Sequence, residues 1–305
     1  VFFLKPTGPV KLAAVPVGLD PVSVRARPGA NEVWVVNHVS DSISVVDLTT
    51  LTIRGTILTG DEPADVVFAG APQKAFVSVS QLNQVRVFDP VTLAQIGSPI
   101  SIEGEDPRAL ATDGTNVYAA IFESGNRTTI LPFAAVNNAA NNPYPGDPNP
   151  PPNSGSSFAP AMTPGNPTPP RVSLIVKRDA AANTWRDDNT GVWNSAVTWN
   201  VHDHDVAIIN ANSLAVSYVN GLMNLNMNLA VRPGGQVTVI GTEATNQVRF
   251  EPNVRGKFVR VMGASFPAGG GAGTATDLNT HLTYATPSVP QNQRDLSIGD
   301  PRGLA

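Results

Sequence analysis

The chain has 305 residues, of which 41% are hydrophobic and 14% charged, and its formal net charge is −4. This hydrophobic content can bury a substantial core, and the low charge excludes a polybasic surface for nucleic acid or for an anionic membrane. Cysteine is absent, which excludes disulfides, thiolate metal sites and a CxxCH haem attachment within these residues. No apolar run approaches 18 residues, so the sequence predicts no membrane span.

Three similar segments follow one another in the first part of the chain. Each opens with a Gly-x-x-Pro step, at Gly18–Pro21, Gly60–Pro63 and Gly104–Pro107, so the openers recur after 42 and then 44 residues. Behind each opener, short runs rich in β-branched residues alternate with polar turns, as in "EVWVVNHVSDSISVVDL" at 32–48. A period in the low forties that contains four short strands is typical of a β-propeller blade.

We therefore predict an all-β chain, a β-propeller of four-stranded antiparallel blades with long loop insertions. The predicted units follow in chain order: 1–16, late strands of a preceding blade; 17–59, a blade; 60–103, a blade; 104–218, a blade with an insertion at 134–200; 219–262, a blade; 263–296, an insertion; 297–305, the start of the next blade. The Pro-rich part of the first insertion cannot join sheet ladders and is predicted as a surface loop.

Individual strands are predicted by the same patterns. The second and third strands of the first blade fall at Glu32–Asn37 and Ser42–Asp47, and the fourth strand of the second blade at Ala94–Ile102. Val206–Asn210 matches the third strands of earlier copies, so it is predicted to resume the third blade after the insertion. In the fourth blade, "NQVRFEP" (246–252) and "KFVRV" (257–261) are predicted as the last two strands, and "GGGAGTATD" (269–277) as a flexible loop.

About four blades are present, whereas a propeller must close into a ring. We expect seven blades in the complete propeller, with the remainder supplied by the same polypeptide or by a second chain. On this expectation Val1–Leu12 pairs with strands from outside these 305 residues.

The tetrapeptide Trp34-Val35-Val36-Asn37, followed by Ser44-Val45-Val46-Asp47, resembles the repeat of the YVTN family of β-propellers. The resemblance is clear over 17–131 and weaker over 201–262 and 297–305, and the second copy departs from it with "FVSV" at 76–79. The first three copies also resemble bacterial exported proteins that join such a propeller to a c-type cytochrome or a di-haem peroxidase-like module. The resemblance implies a fold and an exported location, and it leaves the chemistry open.

"VHDHDV" at 201–206 is the sharpest polar cluster. In an extended backbone, His202 and His204 face one way and Asp203 and Asp205 the other. Two His at this spacing can ligate zinc or copper when a third ligand lies nearby. The alternative is a polar turn that leads into the strand at Val206, and it is the favoured interpretation.

A second candidate metal site lies inside the first insertion. Asp187, Asp188 and Asn189 precede a Gly and are rich enough in oxygen for calcium, although the EF-hand spacing is absent and an Asx-type turn is favoured. Trp185, Trp193 and Trp199 recur around this turn. They are predicted to bury the insertion on the propeller, with a carbohydrate platform as the alternative.

The openers also contain acidic residues, and these are placed to gather at one mouth of the central tunnel: Asp61, Glu62, Glu105, Asp106 and Asp300. A lactonase-like propeller hydrolase places metal ligands at such a mouth, whereas turn chemistry explains the same residues without a metal. Asp47, Asp89 and Asn210 end the third strands, and their repetition indicates turn caps.

The repeats contain no catalytic constellation, so the first functional hypothesis is an exported or cell-surface scaffold that binds other envelope proteins, cytochromes among them, in the periplasm or outside the cell. The alternative is the propeller part of a haem-containing oxidoreductase or electron-transfer protein, or a lactonase-like hydrolase. No cofactor is evident in this segment, and haem or calcium is expected only in polypeptide outside it.

Overall fold

A computed structural model describes residues 2–5, 8–11, 13–136, 138, 140–141, 143, 174–187, 190–199, 201–244, 259–283 and 289–304. These residues form antiparallel sheets and two single-turn helices, α1 (Phe133–Val136) and α2 (Gln291–Arg294). The all-β prediction is confirmed. In this described part, no helix is long and apolar enough to cross a membrane.

The chain opens with a small hairpin. Its strands β1 (Phe2–Lys5) and β2 (Gly8–Lys11) pair with each other, Phe2 opposite Lys11 and Lys5 opposite Gly8. Two strands were predicted in this region, and two are present. Their pairing with strands outside these residues remains a prediction.

The first sheet contains four strands in sequential order. They are β3 (Pro21–Ala26), β4 (Glu32–Asn37), β5 (Ser42–Asp47) and β6 (Thr52–Leu58). The predicted positions of β4 and β5 are confirmed to the residue, because β-branched runs between polar turns define them locally.

The second sheet repeats this order with β7 (Pro63–Ala69), β8 (Lys74–Val79), β9 (Gln84–Phe88) and β10 (Ile100–Ser101). In both sheets the register shifts directly after the opener proline, between Pro21 and Ser23 and between Pro63 and Asp65. A shift of this kind marks a β-bulge, which redirects the side chains that follow it.

The predicted fourth strand of the second sheet was too long. Only Ile100 and Ser101 pair with β9, and Gln95 contributes one isolated bridge to Phe88. The segment between them contains Gly97 with a φ of 66° and Pro99, which has no backbone N–H for the ladder.

The third four-stranded unit begins with β11 (Glu105–Thr112) and β12 (Asn116–Glu123), and then the chain leaves the sheet. It forms a separate three-stranded sheet of β13 (Thr128–Leu131), β14 (Leu174–Asp179) and β15 (Thr184–Arg186). We call residues 124–205 the insertion. The chain thus departs from the third unit before residue 134, where the sequence placed the start of the insertion.

The third unit is completed by β16 (Val206–Asn210) and β17 (Val216–Val219). β16 pairs with β12, with Asn116 opposite Asn210 and Ala120 opposite Val206. The prediction that Val206–Asn210 resumes this unit is confirmed.

The fourth unit comprises β18 (Leu225–Arg232), β19 (Gln236–Ala244), β20 (Val259–Pro267) and β21 (Thr274–Asp277). A single pairing of Glu123 with Leu225 joins it to the third unit in one curled eight-stranded sheet.

The strand predictions for this fourth unit were wrong in two places. β20 pairs directly with β19 as the third strand and continues to Pro267, although the sequence ended the sheet at 262. β21 is the fourth strand, although 263–296 was predicted as an insertion and 269–277 as a flexible loop. Residues 246–252, predicted as the third strand, lie outside the described residues. The Gly-rich sequence favours a loop locally, but the long edge of β20 offers Thr274–Asp277 a ladder to complete.

The units follow one another in a propeller-like order. The innermost strands contact in sequence, β3 with β7, β7 with β11, and β11 with β18. Three apolar cores fill the spaces between successive units, and Trp34, Phe76 and Phe266 each lie buried in one of them. The insertion has a core of its own, built around Leu174, Trp185 and Trp193.

The turns after the third strands share one design. In each turn, an Asp or Asn stands at the end of the strand or directly after it, and its side-chain oxygen accepts hydrogen bonds from the backbone N–H groups two and three residues later. The residue four positions after this Asp or Asn has a φ near +60°. The pairs are Asp47 with Leu51, Asp89 with Leu93, and Asn210 with Leu214. The predicted turn caps are confirmed. Hydrogen bonds from these backbone amides lower the pKa of Asp47 and of Asp89.

Residues 297–304 form no strand, so the predicted opening strand of a further blade is wrong for this segment. Hydrogen bonds to side-chain amides, and not to a neighbouring strand, hold the backbone of this segment in place. Asn279 Nδ2 donates to the carbonyl of Ile298 and its Oδ1 accepts from the Ile298 N–H, and Asn228 Nδ2 donates to the carbonyl of Arg302.

Candidate functional site

Many of the polar residues lie at one end of the strands. At this end the first strand of each unit begins and the second strand ends, because the strands are antiparallel. The connections at 38–41 and 80–83 lie here, and so does the insertion at 124–205. We call this end of the strands the insertion face. It is where loops of a rigid scaffold would contact other molecules.

The innermost strands are tied together by Asp65. Its carboxylate accepts hydrogen bonds from Ser23 Oγ (2.6 Å) and from Nε and Nη2 of Arg25 (3.1 and 2.8 Å) in the first sheet. It also accepts from the N–H groups of Val66 and Leu110 (2.9 and 3.0 Å), the latter in the third unit. This side chain therefore fixes the relative positions of three units, and its hydrogen bonds raise the pKa of Arg25.

The segment 201–205 separates its side chains as the sequence predicted. The rings of His202 and His204 stack with centroids 5.5 Å apart, and the ring of His204 stacks on Tyr218 at 4.0 Å. Nδ1 of His204 lies 2.5 Å from the carbonyl oxygen of Glu103. His204 thus fastens the end of the insertion to the residue that directly precedes the opener of the third unit. The metal-binding role of the two histidines remains a prediction.

The acidic side chains of the same segment point to the root of the insertion. Asp205 is fully buried; its carboxylate accepts hydrogen bonds from Ser124 Oγ (2.7 Å) and from the N–H of Leu222 (2.6 Å). Burial, reinforced by the neighbouring charge of Asp203, raises the pKa of Asp205 to about 7 despite these hydrogen bonds.

A polar cavity of about 220 Å³ opens beside these residues, where the insertion meets the fourth unit. Arg127 and Asp203 form an ion pair across it, and Asn126 Nδ2 donates to Glu243 Oε1 at 3.3 Å. Desolvation raises the pKa of Glu243. The cavity presents one cation, two carboxylates and an amide on the insertion face.

The predicted calcium turn is organised by Asp187. Its Oδ1 accepts from the N–H of Gly191 at 2.9 Å, and its Oδ2 accepts from the indole N–H of Trp193 at 2.8 Å. Asp188 and Asn189 lie outside the described residues, so calcium binding there remains a prediction. An Asx-type turn would pair the side chain of Asp187 with the N–H of residue 189, which lies outside the described residues, so this alternative also remains a prediction.

The tryptophans do not share one role. Trp185 and Trp193 are buried in the insertion's own core, whereas Trp199 is 63% exposed. The prediction that these side chains bury the insertion on the propeller is therefore wrong: Trp185 and Trp193 pack within the insertion, and Trp199 is exposed. The insertion buries two aromatic side chains within itself, which is why it can fold as a compact unit at the end of two strands.

Replacing Asp187 by Ala is expected to loosen the insertion while leaving the four units folded. The substitution removes the carboxylate that accepts the hydrogen bonds from the buried indole N–H of Trp193 and from the N–H of Gly191. The expected cost in the free energy of unfolding is about 2 kcal/mol. Tryptophan fluorescence during urea unfolding measures it. Asp179→Ala, at the partly exposed end of β14, is the control, and equal losses for both variants would contradict this account.

The five opener acids do not share one site. Glu62 lies 3.5 Å from His38, and Asp300 pairs with Arg302 at 2.7 Å. Glu105 and Asp106 line a cavity of about 170 Å³ together with Glu123, and Asp106 pairs with Arg108. Among the described residues, no three His, Cys, Asp or Glu side chains converge as metal ligands would.

Turn chemistry explains Asp106 without a metal. The residue before each opener proline has a left-handed backbone, with a φ of 52° at Asp20, 56° at Glu62 and 62° at Asp106. Short polar side chains such as Asp are the non-glycine residues most often found in this conformation.

Sequence reasoning missed the role of Asp65 and the burial of Asp205. Each of the two directly precedes a buried apolar run, "VVFA" at 66–69 and "VAII" at 206–209. A carboxylate at the start of such a run is the signal that would have pointed to them, because burying it requires hydrogen-bond donors.

Comparisons with known proteins add little to this geometry. No protein-family model matches the chain. The chain is 32% identical to Protein NirF of Pseudomonas aeruginosa over 88 residues, which is 28% of this chain and 22% of NirF. Its backbone aligns with Kuenenia stuttgartiensis hydrazine synthase over 85% of this chain and 54% of that one, with 16% identity and a TM-score of 0.47. The chain spans about a fifth of NirF and about half of the synthase chain, so neither comparison assigns it an activity.

Proposed function

We propose that this chain is part of a β-propeller of an exported or cell-surface bacterial protein, of the YVTN type, and that it binds other envelope proteins through its insertion face. The observation that carries this proposal is the insertion itself. A connection that needs only four residues in the first two units contains, in the third, a separate sheet with its own buried core. A folded unit of this size on a loop-bearing face is typical of a recognition element.

The partners in this proposal include the rest of the propeller. One side of the first sheet packs on the second sheet, but the other side leaves Val24 62% and Ile53 42% exposed. An apolar sheet face of this kind is normally covered by a neighbouring sheet. Further blades, seven in the complete ring, would cover it, and they would come from the same polypeptide or from a second chain.

Removing the insertion is expected to abolish partner binding without unfolding the propeller. The N–H of Gly125 lies 2.7 Å from the carbonyl of His202, so the two arms of the insertion run side by side and a short Gly-Ser linker can join Arg127 to Val201. Both forms of the full-length protein would be used to isolate cross-linked complexes from the producing organism's envelope fraction.

The expected result is a set of complexes formed by the intact protein and lost from the deletion variant, while the variant still unfolds in a cooperative thermal transition. Identical complexes from both forms would refute the proposed role of the insertion face. The Asp187→Ala variant gives an intermediate case in which the insertion is present but loosened.

The alternative, a propeller belonging to a haem-containing oxidoreductase or electron-transfer protein, rests on the resemblance of the first three copies to proteins joined to cytochrome modules. Absorbance spectroscopy and metal analysis of the full-length protein separate the two proposals. A Soret band would favour the alternative, and protein free of haem and metal that still forms the complexes above would favour the binding module.

A further inference from the structure

The innermost strands β3, β7, β11 and β18 surround a cavity of about 350 Å³ that is separate from the one at the root of the insertion. Part of its wall is apolar and comes from Val22, Ala64, Ala109 and Met227. The rest of the wall is polar, so a molecule bound here would meet both kinds of surface.

The most accessible charged groups of this cavity are guanidinium groups. The side chains of Arg25 and Arg108 are 47% and 43% exposed, whereas that of Asp65 is 7% exposed. Asp65 is the only carboxylate among the described residues that line this wall, and it already accepts five hydrogen bonds. An incoming ligand therefore meets guanidinium groups in front of a buried, fully hydrogen-bonded carboxylate.

Both guanidinium groups are held in place before any ligand arrives. Arg25 uses Nε and Nη2 on Asp65 and keeps Nη1 for another acceptor. Arg108 pairs through Nη2 with Asp106, and its guanidinium lies 3.9 Å from the centre of the Phe122 ring. Fixed arginines lose little entropy on binding, and planar guanidinium groups suit carboxylates.

We propose that this cavity is a binding site for a small organic anion, a carboxylate on a compact apolar body. The carboxylate would contact Arg25 and Arg108, and the apolar body would pack on Ala64, Ala109 and Met227. None of the residues that line this cavity belongs to the insertion, so a failure here leaves the proposed role of the insertion unaffected.

The test uses 2-naphthoate as the probe and the neutral 2-naphthalenemethanol as its matched analogue, titrated into the full-length protein by calorimetry. Saturable binding of naphthoate, at least tenfold tighter than that of the alcohol, is expected. Arg108→Gln should weaken naphthoate at least tenfold. The control Arg232→Gln removes an exposed charge at the far end of β18 and should change the affinity less than twofold.

Ala64→Leu provides a second variant, because it fills the cavity without removing a charge or an ion pair. It should abolish naphthoate binding in protein whose thermal unfolding confirms that it is folded, and it decides the question if Arg108→Gln does not fold. Absence of saturable binding, equal affinity for acid and alcohol, or full affinity in Ala64→Leu would overturn the proposal.

Discussion

Replacing Asp65 by Ala is expected to lower the free energy of unfolding by about 3–4 kcal/mol, the largest effect of any single polar side chain discussed above. The substitution removes the acceptor of five hydrogen bonds at once. The N–H of Leu110 and the hydroxyl of Ser23 lose their acceptor inside the structure, and an unsatisfied buried donor costs about 1–3 kcal/mol.

The loss of the ion pair adds less than the loss of these donors. The side chain of Arg25 is about half exposed, so water can solvate its charge once Asp65 is gone. The substitution is therefore expected to weaken the contacts between units, because the hydrogen-bond donors come from the first sheet, from β7 itself and from the third unit. Asp65→Asn keeps one acceptor oxygen and should give an intermediate loss.

Urea unfolding at neutral pH, followed by circular dichroism, measures both variants. Asp61→Ala is the matched control, since it removes an exposed carboxylate from the turn that precedes the same strand. A loss below about 1 kcal/mol for Asp65→Ala, or one equal to that of Asp61→Ala, would show that the units are held by their apolar cores alone.

The second and third strands of the first sheet could be predicted to the residue because their signals are local. Each run of β-branched residues is followed by a turn that neighbouring residues stabilise. Asp47 is an example, because its side-chain oxygen caps the turn that ends with Leu51. Neither feature depends on the rest of the chain.

In the fourth unit, the local sequence does not predict every strand. Thr274–Asp277 follows a Gly-rich stretch and has no strand pattern of its own, and it becomes a strand because Met262–Ser265 offers it an edge. Likewise β13 pairs with β14 across more than forty residues, so only the folded chain shows that they form one sheet. Pairing between distant segments is a property of the fold, and composition does not encode it.

The candidate sites were predictable only as lists of polar residues. The sequence correctly separated His202 and His204 from Asp203 and Asp205 by alternation along an extended backbone. It could not show that Asp205 would be buried, because burial depends on Ser124 and Leu222, which stand far away in the chain and supply its two hydrogen bonds.

Burial of Asp205 gives the protein a stability that falls as pH rises. The pKa of this carboxyl is about 7 in the folded protein and near 4 in an unfolded chain, so between these values the folded state binds more protons than the unfolded state. The stabilising effect of the protonated form is complete below about pH 4. It is lost progressively up to about pH 7, and the loss amounts to roughly 3–4 kcal/mol.

Asp205→Asn is expected to remove this dependence. The amide oxygen can accept from the N–H of Leu222, and the amide nitrogen can donate to Ser124 Oγ, whose own proton can turn to the nearby carbonyl of Gly125. The variant should match the wild type near pH 4 and exceed its stability increasingly towards pH 8. The difference between the two proteins is the quantity to follow, since it cancels the titration of Asp47, Asp89 and the other carboxylates.

Urea unfolding of both proteins at several values between pH 4 and pH 8 gives this difference, with Asp61→Asn as the exposed control whose difference from the wild type should stay nearly flat. A stability gain for Asp205→Asn that rises by less than about 1 kcal/mol over this range would mean that the carboxylate is solvated in the native protein. The root of the insertion would then be open to water, and Ser124 and Leu222 would not enclose Asp205 as the structure shows.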